Sequence, residues 1–281
     1  MATPPAEDLK TYHGNCHCGA VRFTVKIPSL LTYEVGSCNC SICTRNGYLM
    51  IYPAPENITF QQGFDDLKGF RFGSQAFVHR FCKTCGSSVS AAMLVEGGRE
   101  MLAINARMLQ GVHPEDLKLK FHDGKAYGAP YTYPVLPTPA FPDADANPEL
   151  VEYPGNCQCG AVTFTMRAPS LTDNTPGQCR QCNCSICDRN GYLFVYPPQH
   201  DVIFHTGYDS LCEYTFGTKT KPHKFCGTCG SSIFLDKTAV NDGWAMNIRM
   251  LRDVDMKSIR FSHRDGRNAR PLYNIGAATT D

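Results

Sequence analysis

Two tandem, mainly β domains with little helix are what this sequence predicts, on three observations. A repeat runs through almost the whole chain, cysteines recur at fixed spacings inside each copy, and no segment shows a long 3.6-residue apolar period.

The repeat is read directly. Gly14-Asn15-Cys16-His17-Cys18-Gly19-Ala20-Val21 returns as Gly155-Asn156-Cys157-Gln158-Cys159-Gly160-Ala161-Val162. Cys38-Asn39-Cys40-Ser41-Ile42-Cys43 returns unchanged at Cys182 to Cys187, and an Arg-Asn-Gly-Tyr-Leu run follows each time, at Arg45 to Leu49 and Arg189 to Leu193. Phe81-Cys82 with Thr84-Cys85-Gly86-Ser87-Ser88 returns at Phe225-Cys226 and Thr228 to Ser232. The first motif is offset by 141 residues and the two later ones by 144, so three residues are inserted before Cys182. Asn105 and Arg107 match Asn247 and Arg249 at an offset of 142, which implies a two-residue deletion after the last cysteine pair.

Inside each copy the pattern is β. Ala20 to Ile27 and Ala161 to Arg167 alternate apolar and polar residues, while Tyr48 to Tyr52 and Tyr192 to Tyr196 are short apolar runs ended by proline. His113-Pro114-Glu115-Asp116-Leu117 predicts a single helical turn. Between the copies Pro130, Pro134, Pro137, Pro139, Pro142 and Pro148 rule out a helix or central strand and predict an extended, semi-rigid connector. The expected division is a first domain over 1–129, a proline-rich linker over 130–148 and a second domain over 149–281.

Composition limits the function classes. The 281 residues are 42% hydrophobic and 19% charged, which suits two folded domains. A net charge of +1 supplies no broad basic surface, so nucleic acid is not an expected partner. The basic stretch from Arg264 to Arg270 reads as a solvated turn. No run approaches the roughly 18 to 20 apolar residues of a membrane span, and Met1 to Asp8 lacks the basic and apolar regions of a signal peptide. A cytoplasmic protein is therefore expected. In that reducing compartment 16 cysteines point to metal ligation or redox chemistry, away from disulfides.

Zinc is the expected metal. A structural site needs four thiolate or imidazole ligands, commonly delivered as two close pairs. Cys16-x-Cys18-Gly19 and Cys82-x-x-Cys85-Gly86 supply such pairs in the first copy, and Cys157, Cys159, Cys226 and Cys229 do so in the second. A closed site of this kind contributes on the order of 10 to 16 kcal/mol of apparent binding energy to folding; the alternative is a set of reduced, unmetallated thiols. Cys38, Cys40 and Cys43, and likewise Cys182, Cys184 and Cys187, are left as triads. Three ligands suit a zinc ion with an open fourth position, as in catalytic sites. A fourth protein ligand closing the site is the alternative, with His79 and His223 as conceivable donors. Cys179 has no counterpart in the first copy, where Val35 stands; it either closes the second site or is an unrelated thiol. Cys212 reads as a buried apolar thiol.

At these motifs the chain resembles the glutathione-dependent formaldehyde-activating enzymes, the family that also includes centromere protein V. The resemblance covers nearly the whole chain, twice, on seven ordered cysteines per copy. It implies the Mss4-like, or β-tent, fold: a small zinc-bearing assembly of coiled β-sheets. It makes Cys16, Cys18, Cys82 and Cys85, with Cys157, Cys159, Cys226 and Cys229, the structural ligands. It makes Cys38, Cys40 and Cys43, with Cys182, Cys184 and Cys187, the catalytic ones. The resemblance also implies four zinc ions per chain and condensation of glutathione with formaldehyde to S-hydroxymethylglutathione, or the reverse carbon–sulfur cleavage. Cys179 and the tandem arrangement depart from the family pattern.

Further candidates stand beside the triads. Arg45 and Arg189 could bind a substrate carboxylate or pair locally with a carbonyl or acid. His79 and His223 could act as general acid–base groups or hydrogen-bond to a zinc sulfur. Asn105 with Arg107, and Asn247 with Arg249, could line a pocket or cap a strand end. The primary expectation is a carbon–sulfur lyase-like zinc enzyme acting on a thiol adduct of a small carbonyl compound, or a related zinc lyase of specialised metabolism. A noncatalytic zinc-stabilised interaction module is the alternative, and a metal buffer fits ordered ligands poorly. The two copies are expected to pack as an intramolecular pseudo-dimer.

Overall fold

The computed structural model describes residues 8–94, 100–141, 149–240, 243–269 and 272–275. Met1 to Glu7, Pro142, Pro148 and Arg270, which enter the expectations above, lie outside them.

The chain is mainly β, in two similar halves. In the first, Lys10–Asn15, Arg22–Ile27 and Ile58–Gln62 form a three-stranded antiparallel sheet in that order. A seven-stranded sheet runs in the order Leu119–His122, Val35–Cys38, Met50–Ile51, Glu100–Asn105, Ser88–Leu94, Phe77–Cys82 and Leu67–Phe70. The second half repeats both. Leu150–Asn156, Thr163–Pro169 and Val202–Thr206 make its small sheet; its large one runs from Leu211–Tyr214 through His223–Cys226, Ser232–Asp236, Trp244–Asn247, Phe194–Val195 and Cys179–Cys182 to Ser262–Arg264.

The alternating segments become the central strands of the small sheets, with Phe23, Val25 and Ile27 inward. The apolar runs before proline become the two-residue strands Met50–Ile51 and Phe194–Val195. The turn foreseen at His113 is the 3₁₀ turn Pro114–Asp116.

Each half also carries one short α-helix: α1 is Ser41–Asn46 and α2 is Ser185–Asn190. Sequence periodicity could not reveal six residues of helix, yet both ends are marked. Gly47 and Gly191 close them in the left-handed conformation at φ 61°, a position that disfavours any side chain. The helix also explains the cysteine spacing. Cys38 ends a strand, Cys40 precedes the first helical turn, and Cys43 returns to the same side three residues on.

The first core does not stop at the first half: it continues into Ile186, Tyr192, Phe194, Tyr214 and Phe225. Hydrogen bonds cross reciprocally. Arg107 Nη1 donates to the Asp188 carbonyl at 2.9 Å, and Arg249 Nη1 to the Thr44 carbonyl at 3.0 Å. The start of the connector is packed as well. Tyr131 Oη donates to the Gln158 carbonyl at 2.9 Å, Arg252 donates to the Pro134 carbonyl at 2.8 Å, and Phe141 is buried. No helix among the described residues is long and apolar enough to cross a membrane.

Candidate metal centres and the cleft over the second triad

Four groups of sulfurs converge. Cys16, Cys18, Cys82 and Cys85 form one, and Cys157, Cys159, Cys226 and Cys229 form another; in each, all four sulfurs lie within 4.8 Å of one another. Cys16 and Cys18 arrive on the turn after the first strand, while Cys82 and Cys85 sit on the turn linking Phe77–Cys82 to Ser88–Leu94. Gly86, at φ 69°, lets that turn tighten beneath the sulfurs. The Cys16–Cys18 and Cys18–Cys82 sulfurs are 3.5 and 3.6 Å apart. A tetrahedral ion with Zn–S bonds near 2.3 Å needs sulfur–sulfur edges of about 3.8 Å, so these residues fit zinc. Every cysteine is a free thiol, and no disulfide competes for the same sulfurs.

The triads Cys38, Cys40, Cys43 and Cys182, Cys184, Cys187 gather within the same 4.8 Å limit. No histidine or fourth cysteine joins either group among the described residues. Cys179 shares a strand with Cys182, but a separation of three puts them on opposite faces. It is buried in the second core, where burial pushes its thiol up to about 11. Cys212 is half-buried, not wholly buried as its sequence context suggests.

Within the first triad, hydrogen bonds from the Cys40 and Cys43 thiols hold the Cys38 thiol low, and the same contacts push Cys43 up. Without a cation three adjacent sulfurs cannot all ionise, so the donor set suits a divalent metal.

A second wall of each triad was not anticipated. The turn after Leu119–His122 brings Gly124 against Cys38 and Cys40 so closely that a Cβ there would overlap the Cys38 sulfur. Gly266 stands likewise against Cys182 and Cys184. Asn39 Oδ1 accepts from the Lys125 backbone at 2.9 Å, and Asn183 Oδ1 accepts from the Gly266 and Arg267 backbones at 2.7 and 3.0 Å. The signal was present: Asp123-Gly124 recurs as Asp265-Gly266, 142 residues later.

Arg45 and Arg189 are both buried and bonded across the two halves, and Arg189 also lines the cleft over the second triad. Arg45 Nε donates to the Asn156 carbonyl at 3.3 Å and its guanidinium stacks 4.4 Å from the Tyr131 ring. Arg189 Nε donates to the Asn15 carbonyl at 3.4 Å and the group stacks 4.9 Å from Tyr273. These are the local carbonyl pairings weighed above, made across the two halves. Tyr131 and Tyr273 occupy matching positions at the 142-residue offset, each stacked on the arginine of the matching loop.

Asn105 is buried and caps a 3₁₀ turn. Its Oδ1 accepts from the Leu49 and Arg107 backbones, and its Nδ2 donates to the Ser88 carbonyl at 2.9 Å. Asn247 repeats the three bonds. His79 and His223 are buried beside aromatic rings: His79 by Tyr48 and Phe72, His223 by Tyr192 and Phe216. Burial pushes them down to about 4 and about 3, so both are neutral at pH 7, and neither Nδ1 has a hydrogen-bond partner.

The second triad opens on a cleft of about 1690 Å³ to which both halves contribute. Its walls include Cys182, Cys184, Cys187 and His223, with Asn15 and Arg107 from the first half. His17, also from the first half, hydrogen-bonds Ser185 within the triad loop and Tyr214 on the cleft wall, both at 2.9 Å. Arg267 is less solvated than its sequence context suggests; it pairs with Glu115 at 3.0 Å and Asp188 at 3.1 Å.

The family profile described as glutathione-dependent formaldehyde-activating enzyme matches residues 11–122 and 152–260. A solved structure of a Rhodobacter sphaeroides protein is similar at 28% identity, over 40% of this chain and 99% of that one, with a TM-score of 0.34.

Proposed function

The chain belongs to the family of glutathione-dependent formaldehyde-activating enzymes, matched twice along its length, and from that premise we propose that it is a zinc-dependent carbon–sulfur lyase-type enzyme. Its substrate would be the thiol adduct of a small carbonyl compound, with S-hydroxymethylglutathione as the family's example and a related adduct of specialised metabolism on the same scaffold as a variant. The observation that carries the reading is the contrast between sites. Two clusters offer four sulfurs each, while two offer three sulfurs and no fourth protein donor among the described residues.

Cys16, Cys18, Cys82 and Cys85, with their counterparts Cys157, Cys159, Cys226 and Cys229, would hold structural zinc. Cys38, Cys40 and Cys43, and Cys182, Cys184 and Cys187, would hold zinc with one position free. Zinc bound by three thiolates carries a formal charge of −1 and supplies a centre that favours the thiolate form of an incoming thiol. In the condensing direction the thiol gives up its proton, its sulfur bonds the carbonyl carbon, and the carbonyl oxygen takes a proton. Cleavage reverses each of these. His223 on the cleft wall, and His79 in the first half, would donate a hydrogen bond to the developing oxyanion; low proton affinity makes them poor bases but leaves an N–H in place. We assign Arg45 and Arg189 to holding the halves together, because their guanidinium groups are spent on carbonyls and rings.

The reciprocal contacts support an intramolecular pseudo-dimer in which each half walls the other's metal loop. The domain limits we propose follow the repeat, with Tyr131 and Tyr273 as matching closing residues. A cytoplasmic setting accords with sixteen free thiols.

Exchange NMR of an equilibrated glutathione–formaldehyde mixture tests the reading. The zinc-loaded chain should speed interconversion of adduct and free thiol, and the Cys40→Ala, Cys184→Ala double variant, which keeps both four-sulfur sites, should lose at least about 100-fold of that acceleration. An unchanged rate in the double variant would leave the noncatalytic zinc module as the better account.

A further inference from the structure

The two triads do not share surroundings, although the loops holding them have the same sequence. The difference is charge. In the large sheet Arg180 pairs with Phe194, and the equivalent residue opposite Met50 is Gly36. Arg264 lies opposite Cys182, where His122 lies opposite Cys38. Two residues beyond the His223–Leu235 pair stands Lys237; two beyond the matching His79–Ala91 pair stands Met93. Lys221 likewise replaces Phe77. Thus four cations of the second half stand where the first half has glycine, histidine, methionine and phenylalanine.

All four line the cleft that contains Cys182, Cys184 and Cys187. Tyr196 gathers two of them: the Lys237 ammonium lies 4.7 Å and the Arg180 guanidinium 5.4 Å from its ring centroid. None of the four forms an ion pair with a carboxylate among the described residues. The acids in the same cleft are committed elsewhere, Asp188 to Arg267 at 3.1 Å and Glu213 to Lys224. Burial and the charges of Lys221, Arg180 and Arg264 push the Lys237 ammonium down, a mutual repulsion that a bound anion would relieve. In the first half the matching position is Gly36, beside Tyr52, and no side chain there can carry the charge that Arg180 places beside Tyr196.

We propose that the cleft over the second triad binds an anionic substrate, one bearing carboxylate or phosphate groups, through Arg180, Lys237 and Arg264, and that the first triad lacks this selectivity. The inference rests on the lyase reading for what happens to that substrate, but not for its binding. The charges of Lys221, Arg180 and Arg264 all reach Lys237, so the negative groups of the substrate would be held among them while its reacting carbon and sulfur face the triad. One chain would then carry two sites of the same chemistry and different substrate charge.

Calorimetric titration of the zinc-loaded full chain with succinate and, separately, inorganic phosphate tests this at low ionic strength. One binding event per chain is expected with at least one of the two anions. It should weaken about tenfold or more in Arg180→Gly, Lys237→Met and Arg264→His, each of which installs the first-half residue, and by less than about twofold in Lys125→Ala beside the first triad. Added salt should weaken it in the wild type. Two equivalent events, no event with either anion, or unchanged affinity in all three variants would overturn the proposal. The adduct-exchange rate is read separately. Turnover of a neutral adduct without anion binding overturns this inference and leaves the lyase reading intact; anion binding with the expected variant pattern but no turnover does the reverse.

Discussion

Gly86, in the turn beneath the first four-sulfur cluster, lies against the ring of Phe225 from the other half, and a Cβ there would come within 2.8 Å of it. Gly230 and Phe81 make the reciprocal contact. The turn that collects the sulfurs is thus also where the halves interlock. Gly86→Ala would meet both an unfavourable φ of 69° and a ring with nowhere to move. We expect a loss of roughly 3 kcal/mol or more, combining about 1 kcal/mol of backbone strain with overpacking. Gly111→Ala is the control: φ is 66°, yet nothing lies within 4 Å, so about 1 kcal/mol is expected. Denaturation of the two variants compares them, and equal losses would show that the interlock contributes nothing.

Arg167 and Asp201 form a buried pair at 2.6 Å in the second half, with Phe141 of the connector stacked 4.2 Å from the guanidinium. Arg167→Met would take the guanidinium from the buried Asp201 carboxylate and leave it the exposed His200 ring at 3.8 Å. A loss of about 3 to 5 kcal/mol is expected, recovered in large part by adding Asp201→Leu. Urea denaturation of the single and double variants checks the sign of that recovery.

Acid should destabilise the fold in a defined window. His79 and His223 sit at about 4 and about 3 against an ordinary 6.5, so between those limits the unfolded chain binds protons that the folded chain refuses. Stability is therefore constant above 6.5 on this account and falls as pH drops below it, at about 1.4 kcal/mol per pH unit for each histidine. His79→Phe should remove its share of the slope, read as a smaller fall in unfolding free energy between pH 6 and 5 than in the wild type. An identical pH profile would place the histidine in solvent.

Cys179 should be dispensable. Cys179→Val installs the residue found at the aligned position, Val35, into an apolar site on the far face from the triad. Zinc content should stay unchanged and stability should move by less than about 1.5 kcal/mol. Loss of one zinc ion on elemental analysis would make Cys179 a ligand after all.

How much was legible in the sequence depends on which interactions are local. The sulfur groups were, because ligand spacing is enforced within a few residues: Cys16-x-Cys18 and Cys82-x-x-Cys85 name their partners before any fold is known. The strands around Phe23 and Phe164 were legible from alternation. The helices α1 and α2 were not, since six residues hold less than two turns and their signature is the glycine that ends them. Arg45 was ambiguous for a different reason. An arginine beside a triad reads as a substrate ligand until the Asn156 carbonyl, 111 residues away, is seen to accept from it. The cations Arg180, Lys237 and Arg264 are scattered over 85 residues and only strand pairing collects them. Asp123-Gly124 and its repeat were visible but uninformative until Gly124 was found against Cys38.

Native mass spectrometry of the zinc-loaded chain counts the ions directly and so decides whether each half holds one closed and one open zinc site. Four zinc ions are expected in the wild type, three in Cys40→Ala and in Cys184→Ala, and two in the double variant, with the fold retained in all four. Two ions in the wild type, or four retained in the double variant, would contradict that arrangement.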